Sequence, residues 1–247
     1  GMKYLGNIET SWNWVLADKE GNIGYQMSGM MPKRKKGTSG FVPLPGWKPE
    51  NSWSGFVPPE EFPRIINPEK GYFITANNNL NPYGNVAPIN ICMSSYRAER
   101  IERLLEKSSD FTIQDNFKIH YDVYSIQAER FMKIIKPLLP DTQPGKILKE
   151  WDLCYLPESE GAFLFECIYR ELFREVFGKN GMGTEVVDYL LGESGIFIDF
   201  YDNFDRILLS ENSMWFENEN KNTIFKRAIE KALKVEIKGC KEVQKIE

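Results

Sequence analysis

Hydrophobic and polar positions fall into two regimes along this chain. In the first third, aromatic and β-branched residues gather in short runs separated by turn residues, as strands require. In the second half they recur every three or four positions, as amphipathic helices require. Trp12, Trp14, Val15 and Leu16 make the first run, Asp18-Lys19-Glu20-Gly21 a turn with glycine at its left-handed position, and Ile23 to Met27 the return. Asn7 to Gly29 is therefore predicted to be a β-hairpin. Its tryptophans are read as core and edge of a sheet in preference to a ligand pocket.

From Met31 to Asn67 prolines and glycines interrupt the chain too often for helix, and Phe41, Trp47, Trp53 and Phe56 lie among them. This stretch is predicted to be an irregular excursion pinned to a surface by its aromatics. Gly71 to Ala76 reads as a short strand through Tyr72, Phe73, Ile74 and Thr75, and Asn77, Asn78 and Asn79 end it by offering the backbone side-chain partners. Beyond a Pro- and Asn-rich loop, Ser94 or Ser95 caps a helix whose apolar face is Ile101, Leu104 and Leu105, with Arg97, Arg100 and Arg103 elsewhere on it. An amide-rich strand end and an arginine helix are thus the two chemically distinctive features of the chain.

The helical period then takes over. Asp110 or Thr112 opens one segment, Ser125 to Leu139 forms another that Pro137 and Pro140 close, and Gly145 to Leu153 a third. Gly161 to Phe177 carries a stripe of Phe163, Leu164, Cys167, Ile168, Leu172 and Val176. Val186, Val187, Leu190 and Leu191 mark a short helix, Ile196 to Tyr201 reads as a strand or buried segment, and Thr223 caps a last helix through Leu233. The predicted organisation is 1–94, strands and excursion, and 95–247, mainly helical.

Composition and charge narrow the chemistry. The 247 residues are 42% hydrophobic and 27% charged, with no apolar run long enough for a helical membrane span. A net charge of −4 argues against nucleic acid as a partner, and the run Lys33, Arg34, Lys35, Lys36 is read as a solvated turn in preference to an anion site. Cys92, Cys154, Cys167 and Cys240 are widely spaced and His120 is the single histidine, so no metal and no other cofactor is expected. Gly1 ahead of Met2 reads as the residue left by tag removal, and neither a basic nor an apolar leader segment follows it. Nucleotide-binding glycine motifs and a nucleophile elbow are absent, and no acidic pair is marked as acid and base.

In their order and spacing, ADKEGNIGYQMSG, RKKGTSGFVPLPGW, GYFITANN and YRAERIERLLE resemble the β-chain of the penicillin acylase (penicillin amidase) family. The resemblance runs from Trp12 to Asn79 and from Tyr96 to Glu106, and more loosely to Leu139. It implies an N-terminal nucleophile hydrolase, an amidase cleaving linear amide C–N bonds through an acyl-enzyme. Its fold would be α+β, part of an αββα sandwich. The match to GYFITANN implies that Asn77 is the oxyanion asparagine, with Asn78 adjacent and a one-residue ambiguity in the run. The match to YRAERIERLLE implies that Arg97 is the active-site arginine, and Trp12 matches a position that lines the acyl pocket. Where some members carry a calcium-binding aspartate, near Val86, no carboxylate aligns.

The family's serine nucleophile, whose own α-amine serves as base, precedes the segment matching Trp12. The chain is therefore expected to be an internal β-chain piece, inactive alone. Its partners would be an α-chain and the N-terminal part of the β-chain, or a second copy through self-association. Completed, it would act on a small N-acyl compound such as a β-lactam or an N-acyl-homoserine lactone. The alternatives are a non-catalytic split-gene or decayed module acting with a partner chain, and a carbohydrate surface built on Trp47 and Trp53.

Overall fold

The predicted hairpin forms. In the computed structural model, which describes residues 1–38, 40, 42–86, 92–107 and 110–234 and leaves the side chains of 180 and 194–200 undescribed, β1 (Trp12–Ala17) pairs antiparallel with β2 (Ile23–Ser28). Trp12 stands opposite Ser28 and Ala17 opposite Ile23. Asp18 closes the turn by accepting hydrogen bonds from the backbone and side-chain amides of Asn22, both at 2.8 Å, which hold its carboxyl below the usual range. Gly21 sits at φ +87°, where a side chain would be strained. Trp14 donates its indole N–H to Ser28, whose hydroxyl donates in turn to the Thr10 carbonyl at 2.7 Å.

A third strand arises inside the proline-rich excursion. β3 (Arg64–Ile66) pairs antiparallel with β2, Tyr25 opposite Ile65, giving the sheet order β1-β2-β3. The rest of the excursion is irregular as predicted, with 3₁₀ turns at Pro49–Asn51 and Pro59–Glu61. Of the aromatics predicted to pin it, Trp47 is 83%, Trp53 61% and Phe56 48% exposed, and Phe41 lies outside the described residues; the buried ring of the excursion is Phe62, at 1%. Backbone bonds also hold it, from Lys33 N–H to the Gly55 carbonyl and from Val57 N–H to the Met31 carbonyl, each at 2.8 Å.

Two units partition the chain, Gly1–Ala98 and Glu99–Glu247. The first holds the three strands and the short helix α1 (Met2–Gly6). The helix α2 (Tyr96–Leu105) begins in the first unit and continues into the second. The second unit is mainly helical, with α3 (Ile113–His120), α4 (Ile126–Ile135), α5 (Gln143–Glu150), α6 (Glu160–Phe173), α7 (Thr184–Gly192), α8 (Ser194–Leu209) and α9 (Lys221–Ala232), and a single antiparallel bridge between Tyr124 and Cys154 among its described residues. The architecture is α+β, with strands in the first third and helices in the second half.

Side-chain caps explain where several of these helices start. Thr112 accepts from Asp115 N–H while the Asp115 carboxylate accepts from Thr112 N–H, and Ser125, Thr142 and Ser159 cap α4, α5 and α6. Two predicted segments differ. Ile196–Tyr201 belongs to α8 and is neither strand nor separate segment, because helical spacing continues through Phe204 and Leu208 and outweighs local β-propensity. The last helix starts at Lys221 on an Asn220 cap, two residues before Thr223.

Phe131, Phe165, Ile168, Leu172, Phe173 and Phe225 lie in the buried centre of this unit. Trp151 packs close against α6 at Gly161, where an added Cβ would meet the indole at 2.3 Å. After α6 the chain widens into a π-helical stretch, Arg174–Met182, that buries Glu175. Lys179, Arg227 and Lys231 converge on that carboxylate. Burial opposes its ionisation, but the three cationic donors prevail and hold its pKa at about 2. Asp205, also buried, accepts from the Tyr169 hydroxyl at 2.5 Å and the Gln127 amide at 2.8 Å.

Candidate functional site

Tyr25, fully buried on β2, is the anchor from which the site is built. Burial pushes its phenol well above the usual range, and its hydroxyl donates to Asn13 at 2.5 Å. Phe73 stacks on its ring with centroids 4.5 Å apart, and Tyr83 meets Phe73 edge-on at 5.7 Å. The segment Gly71 to Ala76 is consequently held by side-chain packing. It forms no ladder with the sheet among the described residues, which corrects the predicted strand. Aromatic and β-branched residues signal a fit to a half-buried surface, and here the surface is a ring stack.

The asparagine run interrupts this extended segment as expected, and its members do different work. Asn77 adopts φ +63°, a left-handed conformation that asparagine tolerates better than most residues. Asn78 Oδ1 accepts from Ala76 N–H at 3.0 Å, and Asn79 Oδ1 accepts from Asn81 N–H at 3.0 Å. The Asn77 carbonyl accepts from Met93 N–H at 2.8 Å, which ties the turn to the segment that leads into α2.

Arg97, in the first turn of α2, donates Nη2 to the Ala76 carbonyl at 2.7 Å and to Asn77 Oδ1 at 2.8 Å. The Met93 thioether lies 3.6 Å from the same nitrogen. A guanidinium has donors only, so the amide atom facing it must be the oxygen. That fixes the orientation of the Asn77 side chain and turns Nδ2 away from Arg97. Nδ2 has no acceptor among the described residues, and both side chains are exposed. The result is an oriented N–H donor beside a permanent positive charge, an arrangement suited to an oxygen that gains negative charge.

Asn77 and Arg97 are thus brought together, and Asn78 supports the turn between them. Trp12 opens β1 at 59% exposure, and among the described residues no hydrogen bond or ring contact ties it to Asn77. His120 is exposed at the end of α3. The other arginines of α2 have structural partners: Arg100 is bidentate to Asp122 at 2.7 Å, and Arg103 pairs with Glu129. The Ala76 carbonyl and Met93 were not foreseen. A backbone acceptor has no residue signature, and Met93 is indistinguishable by type from a core methionine.

Comparison with known proteins gives the family. Residues 2–245 match the family described as penicillin amidase. The "Penicillin acylase 2 proenzyme" of a Pseudomonas species is 32% identical over 178 residues, covering 69% of this chain and 23% of that protein. An acyl-homoserine lactone acylase of Pseudomonas aeruginosa is 36% identical over 184 residues, covering 67% of this chain and 22% of its own length. The structure of a thermostable penicillin G acylase from Alcaligenes faecalis superposes with a TM-score of 0.62 at 19% identity, covering 91% of this chain and 46% of that one. The chain spans less than a quarter of the length of these two relatives.

Proposed function

We propose, from the premise that this chain belongs to the penicillin amidase family, that it supplies the oxyanion-stabilising part of an amide hydrolase. Asn77 Nδ2 donates to the oxygen of the tetrahedral intermediate, while Arg97 orients the Asn77 amide and adds fixed positive charge. The attacking serine, activated by its own α-amine, comes from polypeptide outside these 247 residues, so the chain by itself is inactive. The substrate is an N-acyl compound, with β-lactams and N-acyl-homoserine lactones the two classes to which the relatives' names point. Asn78 shapes the turn, and Trp12 is offered as a wall of the acyl pocket.

The observation that carries this reading is the Arg97 Nη2 to Asn77 Oδ1 bond at 2.8 Å, which leaves the amide N–H of Asn77 as a directed donor. The test is co-expression of the chain with an α-chain and a serine-headed N-terminal β-segment taken from a penicillin amidase family member, assayed on a phenylacetyl amide and on an N-acyl-homoserine lactone. Hydrolysis is expected only from the assembled chains. Asn77→Ala should lower kcat by about 10²–10³, equivalent to ~3 kcal/mol, with KM little changed. Full kcat in that variant, or turnover by the 247-residue chain alone, would defeat the assignment.

A further inference from the structure

Lys33, Arg34, Lys35 and Lys36 do more than cover a turn: all four line a cleft of about 480 Å³. Thr38, Ser54 and Asn85 contribute polar groups to the same lining, and Glu61 is the one carboxylate in it. Among the described residues no ion pair joins any of these four cations to a carboxylate. Elsewhere the pattern is the opposite, with Arg100, Arg103, Arg130, Arg174 and Arg227 each meeting a carboxylate at 2.6–2.7 Å.

The cleft has a fixed frame. Lys33 N–H donates to the Gly55 carbonyl at 2.8 Å, and Ser54 N–H returns a bond to the Lys33 carbonyl at 3.0 Å. Thr38 folds back on the run, its N–H and hydroxyl both donating to the Lys35 carbonyl, and Asn85 N–H donates to the Glu61 carbonyl at 2.9 Å. Arg34 is half-buried, with its guanidinium packed against Gly40. A Cβ on Gly40 would come within 2.6 Å of Arg34 Nε, so the glycine makes room for the arginine as well as for its own φ of +74°.

We propose that this cleft binds a small multivalent anion of phosphate or polycarboxylate chemistry. Four adjacent like charges repel one another, and without carboxylate partners a bound anion is what relieves that repulsion. Arg34 offers a planar fork of donors and the lysines offer mobile point charges, the combination that phosphate and carboxylate groups accept. The volume lies within the range of about 300–1,000 Å³ usual for small-molecule sites. A long polyanion is disfavoured because the chain as a whole carries a net charge of −4. This inference does not depend on the amide hydrolase reading.

Isothermal titration of the full chain with pyrophosphate and, separately, with citrate tests it. At least one of them should bind saturably, with affinity falling as sodium chloride is raised, and their relative affinities identify which source of charge the cleft prefers. Lys35→Glu with Lys36→Glu should weaken binding about tenfold or more, and Arg34→Gln should weaken it by a similar factor. Lys226→Glu, an exposed change in the second unit, should leave affinity unaltered. Circular dichroism checks that each variant is folded, and Lys36→Gln serves if the double reversal is not. Absence of saturable binding to both anions, or equal binding by the folded cleft variants, overturns the proposal. So does tighter binding of duplex DNA than of either small anion, which would make the run a nucleic-acid surface.

Discussion

Phe131, Phe165, Tyr169, Phe173 and Phe177 form a continuous chain of ring contacts through the second unit, with neighbouring centroids 5.1–6.2 Å apart. The first unit has a shorter stack, Tyr25 on Phe73 with Tyr83 at its edge, a few buried apolar side chains such as Phe62 and Leu80, and many loop hydrogen bonds. Helices satisfy their own backbone groups and leave side chains free to build a core. The loops of the first unit leave carbonyls and amides that must find partners one at a time. The candidate site belongs to the second kind of construction: its parts are a carbonyl, a turn amide and a guanidinium. Chemistry is presented where polar groups are already exposed, and stability is concentrated elsewhere.

The comparison breaks most visibly at Phe173, which touches Tyr169, Phe177 and Phe204. Phe173→Ala should destabilise the second unit by about 3–5 kcal/mol, read from the midpoint of denaturant unfolding followed by circular dichroism. A loss below about 1 kcal/mol would mean that the ring chain is not the source of its order.

Next comes Glu175, which with Asp205 is one of two buried carboxylates among the described residues of that unit. Glu175→Gln leaves three cations without their shared carboxylate, and should cost about 2 kcal/mol at pH 7, allowing for the partial exposure of Lys179, Arg227 and Lys231. The folded pKa of about 2 lies below the ordinary 4.5, so the stabilisation is complete above about pH 5 and is lost as pH falls toward 2. Unfolding curves of the two proteins should therefore converge over that acid range. A gap that stays constant from pH 7 to pH 2 would assign the loss to packing.

Phe73→Leu sharpens the contrast from the other side. It removes a ring stack worth about 0.5–1.5 kcal/mol beyond its burial, and the effect should be local. Amide exchange at Met93, whose N–H is bonded to the Asn77 carbonyl, should accelerate while that of Phe225 does not change. The smallest effect is expected at Trp47, the most exposed of the described aromatics: Trp47→Ser should move stability by less than about 0.5 kcal/mol, checked by thermal midpoint. A larger loss would show that the excursion leans on that indole after all.

How much of this was legible in the sequence follows the same division. The hairpin was readable because Asp18-Lys19-Glu20-Gly21 specifies its own turn, and α3 and α4 because Thr112 and Ser125 announce their starts. Helix and turn signals are local, so a local reading finds them. Gly71–Ala76 was misread because the residues that suit a sheet equally suit a ring stack, and nothing local says which neighbour arrives. β3 was missed because its pairing with β2 is decided by register at long range, between Gln26 and Arg64. Asn77 and Arg97 stood out through their resemblance to a known family. Their shared dependence on the Ala76 carbonyl could be seen only in three dimensions.

The left-handed backbone at Asn77 narrows what evolution can try there. Asparagine, aspartate and glycine are the residues that accept that conformation most readily. Glycine would keep the turn and lose the amide. Aspartate would keep the turn and the contact with Arg97, but would present an acceptor where the oxyanion role proposed above calls for a donor. If the proposed role holds, one residue answers two separate demands, one made by the main chain and one by the side chain. Under the proposed role, a position of this kind has almost no neutral neighbours in sequence space.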